Sequence, residues 1–315
     1  MNRHSALLFL LTTIALQGAD LRIGIVGTDT SHTVAFAKAL NSASPAPAFA
    51  GAKIVAAYKG GSPEIESSRT RVDKYAEELR TTYGVEIVPD IPTLLQKVDA
   101  VLLESVDGRV HLEQAKQVFK GKKPVFIDKP LAATYDDARE IAKLAKAAGV
   151  PWFSSSSLRF GPFAESLKVA DARGAFVWGP GPTEEHHTTQ LTWYGIHAVE
   201  LLYTILGPGC ESVSMASEND ADVVVGKWKD GRLGTVRVMR PYGPFGGVVF
   251  RDKQQVLQSD PKLAKVDYIP MLEHIVDFFR TSKAPVPEAE TLEMFAFMDA
   301  AQRSKQAGGS TTKLR

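Results

Sequence analysis

Residues 21–27, LRIGIVG, form a short apolar run ending in glycine. The polar turn TDTSH follows, and helical spacing sets in over 33–40. An apolar run bounded by a turn and a helix reads as a buried parallel strand. The alternation repeats downstream, with strands at 53–58, 86–88, 100–105 and 124–127 and another starting at 151–154. Helical patterns at 71–83, 91–97, 111–120 and 135–148 lie between them. Strands joined by helices of this length require right-handed crossovers. The pattern predicts an α/β fold built on a Rossmann-type doubly wound parallel sheet.

The pattern changes near Ser157. A helix is expected over 163–173, then a Gly179-Pro180-Gly181-Pro182 patch and a helix over 194–206. Alternating runs at 222–229, 234–240 and 247–251, with Lys229-Asp230-Gly231 as a turn, predict an α+β domain with a largely antiparallel sheet. Helices at 268–281 and 290–306 close the chain, and the polar, Gly-rich tail 307–315 is expected to fray. At the other end, Arg3 and His4 precede an apolar run over 6–16 and the small residues Gly18-Ala19, the layout of a secretory signal peptide. The run is short for a bilayer span. The organisation is therefore a leader (1–19), a Rossmann-type dinucleotide-binding domain (20–155), an α+β substrate domain (156–306) and a flexible tail (307–315). The leader implies export to the periplasm or beyond, with no stable membrane insertion after its removal.

Composition narrows the partners. Of 315 residues, 37 are Lys or Arg and 36 are Asp or Glu, a net charge of +1. That balance argues against a nucleic-acid surface. The single cysteine, Cys210, excludes an internal disulfide and a Cys-rich metal cluster.

The turn after the first strand is where such a fold grips a dinucleotide phosphate. Of the frame G-x-G-x-x-G, only Gly27 is present; Thr28, Asp29, Thr30, Ser31 and His32 fill the rest, with Asp29 and His32 at the second and third glycine positions. An Asp side chain facing a phosphate adds bulk and repulsion, whereas Asp29, Thr30 or Ser31 can also cap the following helix. The helix amino terminus still favours an anion, with Thr28, Thr30 and Ser31 as donors. Past the second strand, where an acidic residue usually meets the ribose, stand Lys59 and, further on, Arg69, which suit a 2′-phosphate. Asp128-Lys129-Pro130 lies just past the carboxyl end of a strand, where open α/β sheets hold ligands, with Lys129 placed to donate to a hydroxyl or carbonyl oxygen.

These pieces together resemble the Gfo/Idh/MocA family over nearly the whole chain past the leader. His111, Gly121-Lys122 and Asp128-Lys129-Pro130 match the family's H…GK-x-V-x-x-E-K-P segment, with Asp128 for Glu. Leu158-Arg159-Phe160 matches the Arg-Phe that opens the second domain, and Gly195 to Glu200 matches its G-x-H-x-x-D helix. The resemblance implies an NAD- or NADP-dependent oxidoreductase acting on a carbinol of a sugar or cyclitol. Lys129 would orient the reacting oxygen and His197 handle its proton. It also implies a homo-oligomer formed through the open face of the second sheet. Gly27 through His32, Lys59, Glu104, Asp128 and Lys129 form the cofactor set. Arg159, His186, His187, Trp193, Tyr194 and Glu200 form the substrate set. The family's Asp four residues before the histidine is Trp193 here, which leaves Glu200 as a substitute partner.

Glu184-Glu185-His186-His187 has no place in that mechanism. Adjacent histidines and carboxylates can hold a divalent metal. On a strand, however, His186 and His187 point to opposite faces, and no metal site is assigned. An exported chain meets little free nucleotide, so the cofactor is expected to stay bound. Two other readings are a redox-neutral lyase, epimerase or glycosidase that oxidises transiently, and a carbohydrate-binding protein without catalysis.

Overall fold

The expected alternation closes into a six-stranded sheet of β1 (Leu21–Val26), β2 (Ala52–Tyr58), β3 (Glu86–Val88), β4 (Ala100–Leu103), β5 (Val125–Asp128) and β6 (Trp152–Ser155). Every pairing is parallel, in the order β3-β2-β1-β4-β5-β6. The computed structural model describes residues 20–315, so the expected leader lies outside the described residues. Strands β4, β5 and β6 are buried at every position, as strands covered on both faces must be. The crossover helices are α1 (Ser31–Leu40), α2 (Glu66–Arg69), α3 (Val72–Tyr83), α4 (Ile91–Leu95), α5 (His111–Val118) and α6 (Tyr135–Ala148). Local signals set their ends. Helix α6 starts where the Thr134 hydroxyl accepts from Asp137 N and stops at Gly149 in the left-handed region. The strand order reverses between β1 and β4, and a crevice opens there at the carboxyl ends.

The second domain contains α7 (Pro162–Glu165), β7 (Ala172–Pro180), a π-helical turn (Leu191–Gly195), α8 (Ile196–Leu206), β8 (Cys210–Ser217), β9 (Ala221–Trp228), β10 (Leu233–Met239), β11 (Gly246–Arg251), β12 (Val256–Gln258), α9 (Ile269–Thr281), α10 (Glu288–Gln306) and β13 (Thr312–Lys313). Its sheet runs β12-β11-β7-β10-β9-β8-β13 and is antiparallel except for β7 against β10. Period-2 alternation turns Val224 and Trp228 of β9 and Val236 of β10 inward, into one core with Tyr203 of α8 and Phe297 of α10. Val225 of β9 and Phe250 of β11 stay exposed. No helix among the described residues is long and apolar enough to cross a membrane.

Two expectations are corrected. The helix over 163–173 is a single turn, because Phe176-Val177-Trp178 draws the chain into β7 by residue 172. The tail does not fray. Thr312 and Lys313 pair with β8, and the Arg315 side chain bonds Asp136 and Asp299. Helix α9 packs on the first sheet. Met271, Ile275 and Phe278 share a core with Ile23, Phe36, Phe126 and Phe153, and Phe278 meets Phe153 edge-on at 5.0 Å. The amino end of α9 therefore overhangs the crevice.

Candidate active site

The loop after β1 folds differently from a three-glycine turn. Gly27 keeps its role: its φ is 92°, and a Cβ there would come within 2.3 Å of the Ser105 hydroxyl. Asp29 does not face the crevice. Its carboxylate turns inward and accepts from Ser68 Oγ at 2.6 Å and Val106 N at 3.0 Å, tying three loops together. Burial raises its pKa, and those two bonds offset part of the shift. Thr28 is also turned in, donating to the Val72 carbonyl. Thr30 and Ser31 remain on the crevice wall at the start of α1, and no side chain caps that start. The turn therefore offers backbone N–H groups and hydroxyls, with no loop carboxylate facing the crevice. Those residues fit a dinucleotide phosphate.

His32, at the third glycine position, fills the space between α1 and the sheet. Its ring meets Tyr268 edge-on at 4.4 Å and stacks on Phe36. Its Nδ1 lies 2.9 Å from Asp128 Oδ2 and 3.8 Å from Glu104 Oε2. Glu104 is completely buried, and neither of its carboxylate oxygens has a hydrogen-bond partner. Burial and the neighbouring Asp128 push its pKa well up, against the pull of Lys129. Burial would also raise Asp128, but His32 and Lys129 outweigh it and hold that carboxyl below its usual range. Desolvation lowers the Lys129 pKa, opposed by Asp128 and Glu104. Lys129 lines the crevice, whereas Glu104 and Asp128 lie beneath its floor.

The roof comes from the second domain. The π-helical turn, a distortion frequent at functional sites, sets Trp193 and Tyr194 on the cleft wall. His197, in the first turn of α8, faces Tyr194 at 4.8 Å and shares the cleft with Lys129. Burial, then the Lys129 and His32 charges, depress its pKa well below the usual imidazole range. Its Nδ1 lies 2.6 Å from Ser156 Oγ, which also accepts from Leu158 N. Among the described residues, its Nε2 makes no hydrogen bond. Ser156, within the Ser154 to Ser157 run, and not the expected Glu200, is thus the side-chain partner of His197. Glu200 acts one step back. It accepts from Ser156 N at 2.8 Å and from Arg159 Nε at 2.6 Å, and Arg159 also pairs with Glu290.

The cleft between floor and roof has a volume of about 400 Å³. It brings together Thr30, Ser31, His32, Lys129, Trp193, Tyr194 and His197 of the expected set. Others fall elsewhere. Lys59 pairs with Asp73 on α3, away from the lining. Arg159 and Glu200 form a buried ionic joint. His186 bonds Glu184 at 2.7 Å, and His187 donates through Nε2 to Asp107 at 3.0 Å. Asp107 also accepts from the Arg109 guanidinium and backbone, so a carboxylate well supplied with donors joins the two domains. Burial alone would raise the Asp107 pKa, but the bonds from His187 and Arg109 hold it well below the carboxylate range. Sequence reading missed Ser67, Arg71, Phe245 and Tyr268, all on the cleft wall. Arg71 lies on the cleft wall, whereas the expected Arg69, two positions before it, donates to the Pro63 carbonyl and is not part of the lining.

Residues 21–155 match the Gfo/Idh/MocA family model, described as an oxidoreductase family with an NAD-binding Rossmann fold. No curated protein matches the chain. Solved structures share the whole fold at low identity. A probable dehydrogenase from Thermotoga maritima superposes with a TM-score of 0.75 at 20% identity, covering 93% of this chain and 99% of that one. Myo-inositol dehydrogenase from Lactobacillus casei, solved with NAD(H) and myo-inositol, gives 0.70 at 17% identity, covering 94% and 97%. The WlbA dehydrogenase from Bordetella pertussis, solved with NADH and UDP-GlcNAcA, gives 0.69 at 17% identity, covering 94% and 99%. Over residues 21–155 the chain is thus similar to the NAD-binding Rossmann domain of the Gfo/Idh/MocA oxidoreductase family, and over its whole described length it shares the fold of these dehydrogenases.

Proposed function

We propose that the chain is an NAD- or NADP-dependent oxidoreductase acting on a carbinol of a sugar, cyclitol or related carbohydrate, exported and working with its nucleotide retained. The observation that carries this reading is the meeting of Lys129 and His197 on one cleft, beside the uncapped start of α1. Thr30, Ser31 and the first N–H groups of α1 would hold the phosphates, with Arg71 as a second cationic contact. A nicotinamide bound there supplies the acceptor or donor of the carbinol hydride. Lys129 donates to the carbinol oxygen and stabilises the negative charge that grows as its proton leaves. His197, neutral through its depressed pKa, takes that proton at Nε2. Trp193, Tyr194 and Phe245 limit water at the reacting carbon and offer aromatic faces to the C–H groups of a sugar ring.

Ser156 bears on the tautomer of His197. A carboxylate partner would fix a proton on Nδ1, whereas a hydroxyl both donates and accepts and so satisfies Nδ1 with or without its proton.

Calorimetric titration with NAD and NADP, after a denatured portion has been checked for retained nucleotide, tests the reading. Saturable binding or retained nucleotide is expected. A protein that binds neither and carries neither contradicts hydride transfer and leaves a carbohydrate-binding role.

A further inference from the structure

Three side chains from three elements converge beneath the cleft floor: His32 in the first turn of α1, Glu104 just past β4, and Asp128 at the end of β5. One nitrogen of His32 and one oxygen of each carboxylate all lie within 4.8 Å of one another, and all three residues are buried. Both Glu104 oxygens and His32 Nδ1 lack a hydrogen-bond partner. The 2.9 Å approach of Nδ1 to Asp128 does not have hydrogen-bond alignment. Its 3.8 Å approach to Glu104 is too long for one. Protonating Glu104 does not remove the deficit, because a carboxylic acid still has a hydrogen to donate and an oxygen to satisfy. Buried polar groups are almost always paired, and this one is wholly unpaired while facing a second carboxylate and an imidazole.

We propose that His32, Glu104 and Asp128 bind a first-row divalent cation. One imidazole nitrogen with two carboxylate oxygens is a donor set for zinc or manganese, whereas magnesium prefers oxygen alone. At ligand distances of about 2.0–2.2 Å, neighbouring donor atoms stand about 3.0–3.5 Å apart. His32 and Asp128 are already near that spacing, and the Glu104 oxygen stands 3.8 Å from His32 Nδ1 and within 4.8 Å of the Asp128 donor. An ion here gives the two carboxylates a counter-charge besides Lys129. It also gives the replacement of the third loop glycine by His32 a chemical role. Three protein ligands leave the coordination incomplete, as in catalytic rather than structural sites. His32 and Lys129 both line the cleft immediately above. The site goes beyond the redox reading and does not require a nucleotide.

The test is calorimetric titration of the chelator-treated full chain with Zn²⁺ alone and with Mn²⁺ alone. One ion per chain is expected. The nearly isosteric Glu104→Gln and Asp128→Asn variants should each weaken binding by about 10- to 100-fold or more. The metal-induced rise in the wild-type melting temperature should disappear in both. His186→Gln, in the unrelated Glu184–His186 pair, should bind as the wild type does. No saturable binding by the wild type overturns the site, as does binding unchanged in both carboxylate variants or lost in His186→Gln. If one carboxylate variant fails to fold, the other and the His186→Gln control still decide the matter.

Discussion

Glu104 and Asp107 stand three residues apart on the loop that follows β4, equally buried, and their surroundings are opposite. Asp107 accepts from His187 across the domain boundary and from both the guanidinium and the backbone of Arg109. Glu104 accepts from nothing. Equal burial is therefore answered in opposite ways: the donors around Asp107 pull its pKa down, whereas burial and the neighbouring Asp128 push that of Glu104 up. The contrast separates a structural joint from a site. A buried carboxylate with its donors in place fixes geometry, while one without them sits where a ligand is handled.

Substitutions at these residues separate the two environments, beginning with the largest effect. Lys129→Met, on the unsaturated side, should lower turnover by about a thousandfold with little change in melting temperature. A comparable loss of folding stability would make Lys129 a structural residue. Asp107→Ala should do the reverse. It strands His187 and Arg109 at the domain joint and should cost about 3 kcal/mol in denaturant unfolding. Equal stability with the wild type would remove the distinction drawn above. Asp29→Gly, which restores the second glycine of the G-x-G-x-x-G frame, should destabilise by about 1–3 kcal/mol, because Ser68 and Val106 lose their shared acceptor. A gain in stability would mean that the inward carboxylate is a burden rather than a tie. Glu104→Gln should change stability least, within about 1 kcal/mol, since no hydrogen bond is lost.

A pH profile extends the contrast to the roof. Burial and the nearby Lys129 and His32 charges depress the His197 pKa, with Ser156 as its hydrogen-bonding partner. A base with a lowered pKa stays neutral further into acid. Turnover should thus hold constant through pH 6.5 and decline only well below it. An acid limb centred near 6.5 would show an imidazole no different from a free one.

The doubly wound sheet was legible because its strands are continuous apolar runs and its helices carry their own caps, as Thr134 and Gly149 do for α6. Lys129 and His197 were legible through the motifs around them. What the chain did not disclose depends on contacts distant in sequence. Asp29 looks like a charge aimed at a phosphate until Ser68 and Val106 turn it inward. Glu200 looks like the partner of His197 until Arg159 and Ser156 N claim it. The docking of α9 on the first sheet and the pairing of the tail with β8 follow from tertiary packing that no local pattern encodes.

The account rests most heavily on the start of α1 as the seat of a nucleotide phosphate despite two replaced glycines. Ser31→Asp tests it directly, because the position is exposed and a carboxylate in the first turn favours the helix while repelling a phosphate. The measurement is a fluorescence titration of NADH against the wild type and this variant. The account predicts saturable binding by the wild type and an affinity about tenfold lower or worse in the variant, with folding intact. Equal affinities, or no binding by either protein, would contradict it.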